Sequence, residues 1–166
     1  GFNNSGAKKI SSRIKSNPPN GLFGVNIGPN KDTQNRLEDY LIGIRTFHNL
    51  ADYIIINISS PNTENLRSFH NENELDELLS TIESEKIKLN SKTPIAVKIS
   101  PDIEGDIIEK TSEILLKYNV AAAIISNSTD ANRENLKNVN KFEKGGLSGK
   151  PLESKSNVLI NKFYKN

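Results

Sequence analysis

Cysteine, methionine and tryptophan are all absent from this chain of 166 residues. Without cysteine there is no disulfide, no thiolate metal site and no sulfur nucleophile or base. Only two histidines occur. His48 ends a helical pattern and His70 sits in a polar loop, so surface or capping roles account for both. No cluster of histidines and carboxylates has metal-ligand spacing, and no metal is expected. Charge of one sign is also lacking, since 22 basic and 20 acidic residues leave a net of +2. Nucleic acid requires a basic stripe, so it is not an expected partner. No apolar run nears the roughly 20 residues that span a bilayer, and no secretory leader opens the sequence. A cytoplasmic setting follows. The chain begins at Gly1 and holds no methionine, so it reads as a piece of a longer polypeptide.

What is present suits one domain with a real core. There are 23 asparagines beside many lysines and isoleucines. That bias fits an AT-rich genome, and only asparagines in special positions carry an argument. Four short apolar runs read as buried strands: LFGVNIG (22–28), YIIINIS (53–59), PIAVKIS (94–100) and VAAAIIS (120–126). Between them, apolar residues recur at steps of three and four. Leu37, Tyr40, Leu41, Ile44 and Phe47 form one such stripe, and Leu75, Leu78, Leu79 and Ile82 another. Ile107, Ile108, Ile114, Leu115 and Tyr118 form a third, and the tail starts a further helix with Val158, Leu159 and Phe163 as its apolar side. Strand–helix alternation predicts an α/β fold with a parallel sheet, either a (β/α)8 barrel or a doubly wound sheet. Only about four strands are visible where a barrel needs eight. Residues 1–166 therefore read as one incomplete domain.

In both folds, functional groups gather at the carboxyl ends of the strands. Here each strand ends in polar residues, most of them neutral. The first gives Asn26 and the second Asn57, followed by Ser59, Ser60 and Asn62; the fourth gives Ser126, Asn127 and Ser128. The third carries Lys98 inside an apolar run. A lysine there is rare unless paired, and a fixed positive charge beside an anionic cofactor or intermediate explains it, an edge-strand lysine facing water being the plainer alternative. The KGGLSGKP segment (144–151), with Gly149, can bring backbone N–H groups up to a phosphate or a ring edge. Such a rim suits a neutral, planar, polar molecule.

GFNNSG, GVNIGPNKDT, NISSPNTENLR, VKISPD, ISNSTD and GGLSGKPL occur in this order through essentially the whole chain. Together they resemble the quinone-linked (class 2) dihydroorotate dehydrogenases. The resemblance implies part of a TIM (β/α)8 barrel that holds FMN at its carboxyl rim and oxidises dihydroorotate to orotate in pyrimidine biosynthesis, with a quinone as electron acceptor. It casts Ser60 as the catalytic base. It casts Asn57 as touching both flavin and substrate, and Asn62, Asn127 and Ser128 as holding the pyrimidine, with Gly1, Phe2 and Asn3 closing over it. Asn26, Lys98, Ser126 and Gly149 become FMN contacts. Soluble class 1 relatives use cysteine at the Ser60 position, so a cysteine-free chain favours the quinone-linked class. Intact members lie peripherally on the inner membrane through an amino-terminal segment that this chain does not contain.

The sequence departs from the family in two ways. Asn127-Ser128-Thr129 stands where an Asn-Thr-Thr run is usual, which keeps the hydroxyl and loses a methyl group. The first two and last two barrel strands are missing, and with them the segments that clamp the FMN phosphate. The alternative expectation is thus a non-catalytic or split-gene fragment, inactive alone, whose partner is a complementary fragment.

Overall fold

The computed structural model describes residues 3–60, 66–131 and 133–165. Its elements follow the order α1 (Ala7–Ser16), β1 (Gly24–Ile27), α2 (Arg36–Phe47), β2 (Tyr53–Asn57), α3 (Glu72–Lys88), β3 (Ile95–Ile99), α4 (Asp106–Lys117), β4 (Ala122–Ile125) and α5 (Lys150–Lys165). The four strands form one parallel sheet in the order β1-β2-β3-β4. Each crossover is a helix, and α2, α3, α4 and α5 pack side by side along one face. The result is part of a (β/α)8 barrel in which the sheet is not closed. No described helix is long and apolar enough to cross a membrane.

Side-chain alternation along the strands splits the sheet into two faces. Ile54, Ile56, Ile95, Val97 and Ile99 are buried against Tyr40, Ile44, Leu75, Leu78, Leu79 and Ile82 of the helices. Burial of this layer supplies the main drive to fold, at about 25 cal/mol for each Å² of apolar surface. The opposite face carries Asn26, Ile55, Asn57, Ala96, Lys98 and Ile124, which share registers across the sheet. Helix α2 lies tight on β1, because a Cβ on Gly43 would sit 2.9 Å from Ile27 Cδ1 and Cγ2.

Several asparagines prove structural. The Asn35 side chain accepts from the Glu38 N–H and caps α2, and Asn71 does the same for α3 through the Asn73 N–H. Asn90 and Asn119 follow the ends of α3 and α4 in the left-handed conformation, each with φ of 48°.

Three sequence expectations need correction, and one helix was not anticipated. Strand β4, read as buried, is exposed at Ala122 and Ala123 and half-buried at Ile124 and Ile125, because it pairs on one side only among the described residues. Helix α1 was not expected; its only apolar support is Ala7, Ile10 and Ile14 packed against the core. Val158 is 54% exposed while its neighbour Leu159 is buried, so the apolar face of α5 lies to one side of the expected stripe. His70 is buried and its ring is bonded at both nitrogens, so it is no surface residue.

Candidate functional site

The register of β2 and β3 sets Asn57 directly beside Lys98, and that of β3 and β4 sets Lys98 beside Ile124. Beyond this row the strands run out into polar segments. Asn57 Oδ1 accepts from the Ser59 hydroxyl at 2.8 Å and from the Ser59 N–H at 3.1 Å. Asn127 Nδ2 donates to Ser59 Oγ at 2.9 Å. Asn127 Oδ1 in turn accepts from the Ser128 N–H at 2.8 Å. A fully buried serine therefore ties the ends of β2 and β4 across the end of β3. The sequence placed Ser59 on the rim but gave it no role of its own. Two serines in succession gave no sign of which one faces inward.

The sheet is fixed from behind by Tyr40. Its hydroxyl donates to the Asn57 carbonyl at 2.7 Å, from a ring with no exposure to solvent. Burial drives the phenol well above its ordinary pKa, so the hydroxyl stays a donor. Ser60 follows as a half-buried residue with interactions of its own. Lys98 is half-buried, lies on the same sheet face as Asn57, and pairs with no carboxylate among the described residues.

Ser126, Asn127, Ser128, Gly146, Ser148 and Gly149 line an open groove of about 510 Å³, together with Leu152, Glu153 and Ser156 of α5. The Ser126 and Ser156 hydroxyls lie 3.0 Å apart. Gly149 has φ of 80°, which only glycine adopts without strain, and its carbonyl accepts the Leu152 N–H as α5 begins. Asn26 is exposed on β1, in register with Ile55 rather than with Asn57. Asn3 is exposed near the amino end. Gly1, Phe2 and Asn62 lie outside the described residues. The structure thus ties Asn57 and Asn127 through Ser59 with Lys98 in register beside Asn57, groups Ser126, Asn127, Ser128 and Gly149 along one groove, and places Asn26 on the same sheet face as Asn57, in the next register row.

His70 sits under this rim. The Ser100 N–H donates to its Nε2 at 3.2 Å, so Nδ1 carries the proton and donates to the Arg67 carbonyl at 3.0 Å. Burial lowers the His70 pKa against the opposing bond to Arg67 O, and the nearby Arg67 charge lowers it further. The neutral ring is the folded form, so below the unfolded-state pKa of about 6.5 the unfolded chain binds the extra proton and stability falls. Urea unfolding at about pH 7.5 and about pH 5.5 should show a loss with slope no steeper than ~1.4 kcal/mol per pH unit, the limit for one proton. His70→Gln, which cannot charge, should flatten that dependence.

A parallel β/α sheet that collects amides, hydroxyls and one lysine at the carboxyl ends of its strands defines an enzyme-type site of the (β/α)8 class. Comparison with known proteins narrows the class. The family model for dihydroorotate dehydrogenase matches residues 1–166, and the chain belongs to that family. It is 42% identical over 167 residues to the dihydroorotate dehydrogenase (quinone) of Nitrosomonas eutropha, covering 96% of this chain and 48% of that protein. It is 41% identical over 173 residues to the protein of the same name from Vibrio parahaemolyticus, covering 99% of this chain and 51% of that one. The crystal structure of DHODH in complex with ferulenol from Eimeria tenella superposes with a TM-score of 0.92 at 30% identity, over 99% of this chain and 51% of its own. The chain thus spans about half the length of the relatives it matches.

Proposed function

We propose that the chain carries the base-bearing half of an FMN site that oxidises dihydroorotate to orotate, with a quinone as final electron acceptor. The observation that carries this reading is the polar row of Asn57, Ser59 and Asn127 beside Lys98, which meets no carboxylate among the described residues. It offers amide donors and acceptors matched to a planar ring of alternating N–H and C=O groups. When bound, FMN supplies the acceptor for the hydride leaving C6 of the substrate, and the quinone takes those two electrons. The Ser60 hydroxyl oxygen would receive the proton from C5 as its own proton passes to a neighbouring acceptor. By the family resemblance, Asn57 would contact both ligands, Asn127, Ser128 and Asn62 would bind the pyrimidine, and Gly1, Phe2 and Asn3 would complete the substrate site. Lys98 holds a positive charge on the sheet where negative charge develops, a stabilisation present before the reaction begins. Ser126, Gly149 and Asn26 contact the flavin.

A second reading rests on the sheet itself. Strands β1 and β4 each pair on one side only among the described residues, so residues 1–166 form one incomplete barrel domain that binds flavin only with a complementary fragment. An FMN titration of the purified chain, read by flavin absorbance and followed by anaerobic dihydroorotate, separates the two. Binding followed by bleaching of the oxidised flavin band is expected if this half retains the site. A folded chain that binds FMN only after the remaining barrel residues are co-expressed would favour the second reading.

A further inference from the structure

One carboxylate joins four segments of the rim. Asp102, just past β3, accepts from Thr129 Oγ1 at 2.7 Å and from Lys155 Nζ on α5 at 2.7 Å, both through Oδ1. Its Oδ2 lies 3.0 Å from Arg67 Nη2, a charge contact rather than an aligned hydrogen bond. Arg67 Nη1 also donates to Asp130 Oδ1 at 2.8 Å, so two cations and two carboxylates balance. Buried Thr129 exchanges backbone hydrogen bonds with Leu147 of the glycine-rich loop, and its hydroxyl accepts the Ala131 N–H. Asp102 therefore reaches the segment after β2, the segment after β4, the glycine-rich loop and α5. Burial alone would raise its pKa. The bonds from Lys155 and Thr129, with the charges of Lys155 and Arg67, outweigh that and hold it below the ordinary carboxylate range.

Asn127, whose amide reaches Ser59, is two residues from Thr129. A short strand end is as well placed as its nearest anchor. We propose that Asp102 is a positioning residue: it fixes Thr129, Arg67 and Lys155 against one another so that Asn127 is delivered to Ser59 and the groove beside Gly149 keeps its shape. Its consequence for flavin binding rests on the function proposed above, whereas its mechanical role does not.

Amide hydrogen exchange in the ligand-free chain tests the mechanical part. Asp102→Asn should speed exchange at the Thr129, Ala131 and Leu147 amides by about tenfold or more, with β2 and α3 changed less than about twofold. Lys155→Gln removes one partner and keeps the carboxylate, and should speed the same amides by about threefold; it decides the question if Asp102→Asn does not fold. Rates at those amides within about twofold of the wild type, or equal acceleration in β2 and α3, would overturn the proposal. FMN affinity is the second readout. A wild-type chain that binds FMN should lose about tenfold in Asp102→Asn, and unchanged affinity would remove Asp102 from the site. A wild-type chain that binds no FMN counts against the functional reading alone, and exchange still decides the role of Asp102.

Discussion

Tyr40→Ala should cost about 3–5 kcal/mol of folding stability, the largest single loss expected in this chain. The ring is fully buried and meets Phe69 edge-on, with centroids 5.9 Å apart. Removing it opens a cavity where α2, the sheet and the 3-10 turn Leu66–His70 converge. Tyr40→Phe isolates the polar part of the effect. It keeps the ring but strips the donor from the Asn57 carbonyl, and a cost of about 1–3 kcal/mol is expected for leaving that acceptor unpaired. Urea denaturation of the three proteins measures both. A Tyr40→Phe variant as stable as the wild type would mean that water replaces the hydroxyl and that Asn57 is held by its side chain alone.

Ser60→Ala should lower the rate of flavin bleaching by dihydroorotate by about 10²–10⁴-fold, the usual worth of a general base. A serine hydroxyl hardly ionises near neutral pH, so it acts as a base only where a neighbouring group takes its proton in turn. Rapid mixing under anaerobic conditions gives the rate, and an FMN titration of the same variant gives the affinity, expected to stay within about twofold because only one oxygen is lost. Equal bleaching rates in Ser60→Ala and wild type would move the proton to another acceptor. A large loss of FMN affinity would instead mark Ser60 as a flavin contact.

Strand positions were legible because β2, β3 and β4 are built mainly from isoleucine, valine or alanine and all four strands lead into polar residues, and the sheet follows those runs to within a few residues. Helices α2, α3 and α4 were legible for a related reason, since several large apolar residues repeat at helical spacing. Helix α1 was not, because two isoleucines among lysines and serines make a stripe too thin to distinguish from chance, and no side chain caps its start. Most connections within the site were equally invisible. Tyr40 meets Asn57 across 17 positions, Lys155 meets Asp102 across 53, and Asn127 meets Ser59 across 68. Residue type marks a group as able to bond, but the partner is chosen by register and by crossover length. His70 shows the same limit, since its second partner, Ser100, lies 30 positions away.

The left-handed asparagines after α3 and α4 bear on how the chain tolerates its own composition. Helix stops of this kind usually call for glycine, whose codons begin with two guanines, whereas asparagine is written AAT or AAC. At Asn90 and Asn119 an adenine-rich codon fills the role at little conformational cost, because asparagine is among the few other residues that enter this region readily. A chain this rich in asparagine can therefore end these two helices without glycine and leave the strand ends where they are.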